Sequence, residues 1–257
     1  MNVTVLGSGS RGNAVAVTAD GFTLLLDAGF SLRGLARRAR TARIELGQLG
    51  AVVLTHEHGD HARGVAALAR VTGAPLYASA GTLDRLEIPG RTLAHLETVD
   101  VGPFTVTACR TPHDAAEPIA LAVVGPDGAK LGLAYDLGSA SGVVRYLLRG
   151  ADCLLVEANH DEELLRMAPY PDSVRHRIGG ALGHLSNSAA ARLLADVCHP
   201  ALATVVLGHV SELCNRPELA LAAAREGLTR RGFAGALLAA CQDEPLGPLA
   251  VEVGAAA

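Results

Sequence analysis

The sequence predicts an α/β protein in which two β-sheets pack face to face and helices cover their outer surfaces. Two observations carry this expectation. Short β-favouring runs fall into two sets along the chain, each interspersed with segments of helical spacing. No low-complexity linker, charge block or internal repeat separates the sets, so residues 1–257 are expected to fold as a single domain.

The elements follow in order. Val3 to Leu6 is a β-favouring run followed by a glycine-serine turn, and Ala14 to Thr18 and Thr23 to Leu26 continue the pattern. Ser31 to Arg40 carries apolar and arginine positions at helical spacing, with Ser31 placed to cap it. Ala51 to Leu54 is a short apolar run typical of a buried strand, and Gly64 to Arg70 reads as a helix. A second strand set comprises Leu76 to Ala78, Phe104 to Ala108, Ile119 to Val124 and Leu131 to Tyr135. Pro126-Asp127-Gly128 joins the last two as a turn in which glycine supplies the positive φ. Helix and strand then alternate through Gly142 to Leu148, Cys153 to Val156, Ser188 to Val197, Thr204 to Leu207 and Pro217 to Leu228. Strand-like runs near Ala236 and Val251 close the chain.

Composition narrows the functional classes. With 257 residues, 49% apolar and 19% charged, the chain can bury a core without disulfides. Aromatic residues make up 3% and Trp is absent, so stacking platforms for single-stranded bases are nearly missing. A net charge of −4 offers no basic footprint for nucleic acid, although bound divalent cations would add positive charge where a phosphate sits. Five cysteines without a CxxC pair point to free thiols in a reducing cytoplasm. No signal peptide is visible and no apolar run approaches a membrane span, so a cytoplasmic location without membrane partners is expected.

Chemistry concentrates in Thr55-His56-Glu57-His58-Gly59-Asp60-His61, directly after a buried strand. Imidazole and carboxylate ligands suit Zn²⁺, Mn²⁺ or Fe²⁺. Four such side chains within six residues cannot all hold one ion in a sensible geometry. The spacing favours two ions, with His56 and His58 on one and Asp60 and His61 on its neighbour. Further ligands should arise at other strand ends, and His113, Asp136 and His209 each stand just past a separate apolar run. A carboxylate at position 136 is placed to bridge two ions.

The order His-x-His-x-Asp-His, then His, Asp and His resembles the motifs of the metallo-β-lactamase superfamily over nearly the whole chain. That resemblance implies a four-layer αββα sandwich. It also implies that His56, His58 and His113 hold one metal, that Asp60, His61 and His209 hold the second, and that Asp136 bridges them. Gly7-Ser8-Gly9-Ser10-Arg11-Gly12-Asn13, Glu157-Ala158-Asn159-His160-Asp161, Gly183-His184-Leu185-Ser186-Asn187 and His209-Val210-Ser211 with Asn215 resemble the YycJ/WalJ-type branch. That branch is described as exonucleases or metal-dependent hydrolases and lies close to tRNase Z. The resemblance implies a phosphodiester or nucleic-acid substrate.

Two closely spaced ions lower the pKa of a bridging water and clamp both oxygens of a phosphodiester displacement. Either Asp60 or Asp136 could orient the resulting hydroxide. By resemblance to tRNase Z, His184 is the general acid for the leaving group and Glu157 fixes its tautomer. His160 could be an extra ligand, a phosphate contact or a surface histidine. Ser8 and Asn13 are expected to brace the metal loops, and Asp27 to partner a ligating histidine. Arg175 and Arg177 could meet phosphates but read more simply as a solvated face. The competing expectation is hydrolysis of a small ester, thioester or lactone on the same metals, which the acidic charge and scarce aromatics favour.

Overall fold

The computed structural model describes residues 1–254. The first six strands are β1 (Asn2–Gly7), β2 (Ala14–Ala19), β3 (Phe22–Leu26), β4 (Leu49–Val53), β5 (Leu76–Ala78) and β6 (Arg91–Thr92). The second sheet takes the next seven: β7 (Thr98–Val101), β8 (Phe104–Arg110), β9 (Ile119–Val124), β10 (Lys130–Ala134), β11 (Cys153–Glu157), β12 (Thr204–Gly208) and β13 (Ala236–Ala239). β14 (Leu246–Ala250) then returns to pair with β1, giving two seven-stranded sheets.

Both sheets share one plan. In the first, β14, β1, β2 and β3 run antiparallel while β3, β4, β5 and β6 run parallel. In the second, β7 to β10 are antiparallel and β10 to β13 parallel. Parallel neighbours need crossover connections, and helices supply them. These are α1 (Leu32–Thr41), α2 (Gly59–Ala62), α3 (Val65–Thr72), α4 (Ala80–Leu86), α5 (Gly142–Leu148), α6 (Glu162–Met167), α7 (Asp172–Ile178), α8 (Asn187–Val197) and α9 (Pro217–Thr229). None of the described helices is long and apolar enough to cross a membrane.

Alternation along the strands sorts the core into layers. Val3, Val5, Leu24, Leu26 and Val53 meet Leu121, Val123, Leu131, Leu133 and Leu155 between the sheets. Their sequence neighbours point outward. Leu25, Val52 and Leu54 pack under α1, α3 and α4, while Leu154, Val156 and Leu207 pack under α5, α8 and α9. The result is the four-layer αββα sandwich. Strands buried on both faces read as continuous apolar runs, which is why they stood out in the sequence.

One assignment is corrected. Leu76 to Ala78 belongs to the first sheet, beside β4, because α3 carries the chain back over that sheet in a parallel crossover. The run near Val251 forms its strand slightly earlier, at Leu246–Ala250. Short elements not expected from the sequence include α2, α4, α6, α7, β6 and β7. The later helices had visible starts: Ser79 caps α4, Asp161 caps α6, and Pro171 precedes α7.

Because the central core takes side chains from both sheets, one cooperative transition is expected. Urea unfolding followed by far-UV circular dichroism and by tyrosine fluorescence should coincide, and Leu155→Ala should lower stability by about 2–5 kcal/mol. Two separated transitions would show that the sheets fold independently.

Candidate metal centre

The cleft lies beyond the carboxyl ends of the parallel strands, where open α/β sheets place their ligands. Asp27 follows β3, the His56–His61 run follows β4, Asp136 follows β10 by two residues, Glu157 ends β11, and His209 follows β12. Asp27, Asp136 and His209 all adopt left-handed backbone, with φ of 62°, 54° and 50°. That conformation is costly for residues with a side chain and collects at functional sites. Here it turns each chain abruptly off its strand. A close approach fixes the loop geometry as well: a Cβ on Gly29 would lie 1.7 Å from the Asp60 carbonyl oxygen, so position 29 admits only glycine.

The side chains converge in two overlapping groups. The nitrogens of His56, His58 and His113 lie within 4.8 Å of one another, as do donor atoms of Asp60, His61 and His209. Asp136 stands between them. Its Oδ2 is 2.8 Å from His61 Nε2 and 4.0 Å from His56 Nε2. Its Oδ1 is 3.1 Å from His184 Nδ1, 3.5 Å from His209 Nε2 and 3.8 Å from His113 Nε2. Asp60 Oδ2 closes the second group at 3.1 Å from His209 Nε2 and 3.5 Å from His61 Nε2. The seven residues expected as ligands are therefore gathered at one place.

The donor set fits divalent cations of the borderline type. Six imidazoles are packed with neighbouring ring centroids 4.2–5.5 Å apart. Such packing is unfavourable for protonated rings. Burial, reinforced by His61, pushes His56 well below the usual imidazole range, and burial also lowers His113. A neutral ring is the ligating form. His56 Nε2 is buried and has no hydrogen-bond partner, which leaves a lone pair for a Lewis acid. Burial would lower His61 and raise Asp60, but their charged partners reverse both: Asp136 and Asp27 drive His61 up, and bonds to His209 and His61 hold Asp60 well below the usual carboxylate range. A buried carboxylate and an imidazole locked together in this way present opposite charge to each other until a cation replaces the proton.

A bracing layer holds these rings. His61 Nδ1 lies 2.8 Å from Asp27 Oδ2, and Thr55 donates its hydroxyl to the same carboxylate at 2.9 Å. Thr55 Oγ1 is also 3.1 Å from His56 Nδ1. His113 Nδ1 donates to the Gly183 carbonyl at 2.9 Å. Ser8 Oγ accepts from the His209 backbone N–H at 2.8 Å, and Asn13 Nδ2 is 3.1 Å from His61 Nε2. Asp27, Ser8 and Asn13 thus stand where bracing was expected. Thr55 and Asn159 did not receive such a role from the sequence, although both lie within its motifs. Asn159 Nδ2 donates to the His209 carbonyl at 2.9 Å and lies 3.0 Å from His209 Nδ1. A polar residue just past a buried strand end, beside the ligand His56 for Thr55 and two residues beyond Glu157 for Asn159, is the signal that could have marked them.

Glu157 and His184 meet at the same cleft. Glu157 is fully buried, and its Oε1 accepts the Leu137 and Leu185 backbone N–H groups at 2.6 and 2.8 Å. Its Oε2 lies 3.2 Å from His184 Nδ1. Burial works against protonation of His184, but its bonds to Asp136 and Glu157 push it up to about 10. Among the described residues His184 Nε2 has no hydrogen-bond partner. His160 is buried beside this pair with Nδ1 unpartnered, but it joins none of the ligand groups. Arg175 is engaged by Asp172 and the Ala168 carbonyl, while Arg177 reaches Asp114 at the edge of the cleft.

Comparison with known proteins agrees with this architecture. Residues 23–210 match the family model described as the beta-lactamase superfamily domain. The chain is 34% identical over 241 residues to the exodeoxyribonuclease YycJ of Bacillus anthracis, covering 91% of each protein. It is 32% identical over 227 residues to the exodeoxyribonuclease WalJ of Streptococcus pneumoniae, covering 84% of each. Among solved structures, the metallo-beta-lactamase fold protein YhfI of Bacillus subtilis superposes with a TM-score of 0.73 at 18% identity, over 95% of this chain and 98% of that one. The short form of human tRNase Z superposes with a TM-score of 0.66 at 20% identity, over 97% of this chain and all of that one (100%). At these identities the superpositions speak to fold.

Removing the Asp27 carboxylate frees His61 to rotate. Asp27→Ala is expected to weaken divalent-cation affinity roughly 10–100-fold in a chelator competition while far-UV circular dichroism stays that of a folded protein. Unchanged affinity would refute the bracing role.

Proposed function

This chain belongs to the beta-lactamase superfamily and is a metal-dependent hydrolase, and from that premise we propose that the bond it cuts is a phosphodiester of DNA. The reading rests on one observation above the others. His184 presents Nδ1 to two carboxylates, Asp136 at 3.1 Å and Glu157 at 3.2 Å, and leaves Nε2 free beside the imidazole cluster. A sugar alkoxide is a poor leaving group and needs a proton as it departs; an imidazolium fixed in this orientation is suited to give it. A thiolate or a phenolate needs no such help. The relatives named as exodeoxyribonucleases support DNA and attack at a strand end.

In this reading His56, His58 and His113 would hold one divalent cation and Asp60, His61 and His209 the other, with Asp136 available to both. Bound cations would supply Lewis acidity toward the phosphate oxygens and a water of lowered pKa. The chain's own residues do the rest. Asp60, the more exposed of the two aspartates at 23% against 3%, has an oxygen left to orient the attacking water. Glu157 is a positioning residue: anchored by two backbone N–H groups, it keeps the His184 ring from turning and favours its charged form.

Two tests follow. Stripping the protein with a chelator should abolish hydrolysis, and adding back Zn²⁺, Mn²⁺ or Fe²⁺ should restore it, with metal analysis of the protein purified without added metal identifying the resident ion. His184→Ala should lower cleavage of a DNA oligonucleotide by about 10²–10⁴-fold with metal content intact. The loss on bis(p-nitrophenyl) phosphate should be much smaller, because nitrophenolate leaves unprotonated. Equal DNA cleavage by the variant and the wild type would remove His184 from the role. Activity on esters, thioesters or lactones alone would replace the phosphodiester reading with its rival.

A further inference from the structure

We propose that Arg63 and Arg177 form a two-sided clamp for the backbone phosphates of a nucleic-acid strand entering the imidazole cluster; this rests on the phosphodiester reading above. The net charge of −4 and the 3% aromatic content give no sign of a broad basic face or a stacking platform. A few placed cations at the mouth of the cleft, together with bound metal, would then carry strand binding.

Arg63 caps the end of α2, one turn beyond Gly59 at the start of that helix. Its Nη1 donates to the Arg11 carbonyl at 3.2 Å, and its Nη2 lies 4.0 Å from where a Cβ on Gly59 would stand. The guanidinium therefore lies near Gly59, held by a neutral carbonyl. Among the described residues no carboxylate pairs with it. Arg177 comes from the other half of the protein, on α7. Its Nε donates to Asp114 Oδ2, and Asp114 Oδ1 is 3.4 Å from His113 Nε2. One carboxylate thus separates it from the ligand cluster, and its two terminal nitrogens make no hydrogen bond. Its side chain is 62% exposed.

Neighbouring arginines lack this freedom. Arg11 is shared between Glu212 and Asp243, and Arg175 is spent on Asp172 and a carbonyl. Arg63 and Arg177 thus keep unused donors, flank the metal loop from the two halves of the sandwich, and have the forked geometry that phosphate oxygens match.

The test measures binding of a fluorescent single-stranded DNA oligonucleotide by anisotropy across a salt series. Metal-loaded protein in the His184→Ala background is used so that turnover does not consume the probe. Arg63→Gln and Arg177→Gln are each expected to weaken binding about 3–10-fold and to make the slope of log Kd against log salt shallower by roughly 0.7, the increment for one lost single-strand phosphate contact. Arg63→Lys should keep the salt slope, because it keeps the charge. Arg225→Gln, on the exposed face of α9, should match the parent. The proposal is overturned if both glutamine variants retain the parental affinity and slope, if Arg63→Lys loses as much slope as Arg63→Gln, or if the parent does not bind the oligonucleotide. Binding with the expected slopes but no DNA cleavage by the wild type would overturn the phosphodiester reading and leave the clamp standing.

Discussion

The interaction on which the rest of this structure depends is the burial of one carboxylate among five imidazoles. Asp136 is 2% exposed, and the rings of His56, His61, His113, His184 and His209 each bring a nitrogen within 4.0 Å of it. A charge so deep in the protein needs opposite charge beside it, and Asp136 Oδ2, with no full hydrogen bond of its own, also leaves room for a cation. The pairing residues come from the ends of β4 and β12 and from the loops after β8 and before α8, so both sheets must hold their relative position to within ångströms. The double-sided burial of the strands achieves this. A tightly packed interface between the sheets is less a store of stability than the rigid frame that lets distant side chains share one anion.

The same need explains the strained backbone. Three strand-end residues, Asp27, Asp136 and His209, sit at positive φ without being glycine. Each one points a polar side chain back into the cleft immediately after an apolar strand, a change of direction that ordinary β geometry does not allow. The cost is carried by the surrounding hydrogen bonds: Thr55 on Asp27, the His184 ring on Asp136, and Ser8 with Asn159 on His209. Cation binding would add to this balance, since it favours the folded arrangement over any in which the ligands are dispersed.

Much of this was legible in the sequence, and the boundary of what was legible is physical. His56, His58, Asp60 and His61 were readable because they are crowded into one short run after an apolar strand. His113, Asp136 and His209 were readable through their shared position past strand ends. The central strands were readable because burial on both faces leaves continuous apolar runs. What escaped was set by tertiary placement. Leu76–Ala78 carries no mark of the sheet it joins, since a crossover helix can return the chain to either. Thr55 and Asn159 look like ordinary polar neighbours until the ring nitrogens they touch are in view. The positive φ at His209 has no local signature, because it is imposed by contacts with Ser8, 201 residues away.

That last separation has a consequence for when the centre can exist at all. Ser8, which steadies His209, is itself held by its backbone N–H on the Cys241 carbonyl, and β1 is paired by β14 near the end of the described chain. The second ligand group spans 149 residues between Asp60 and His209. On the ribosome, a chain still short of these late segments has every residue of the His56–His61 run but neither the second half of the cluster nor its support. The second ligand group and its support therefore exist only where the early and late segments of the chain are folded together.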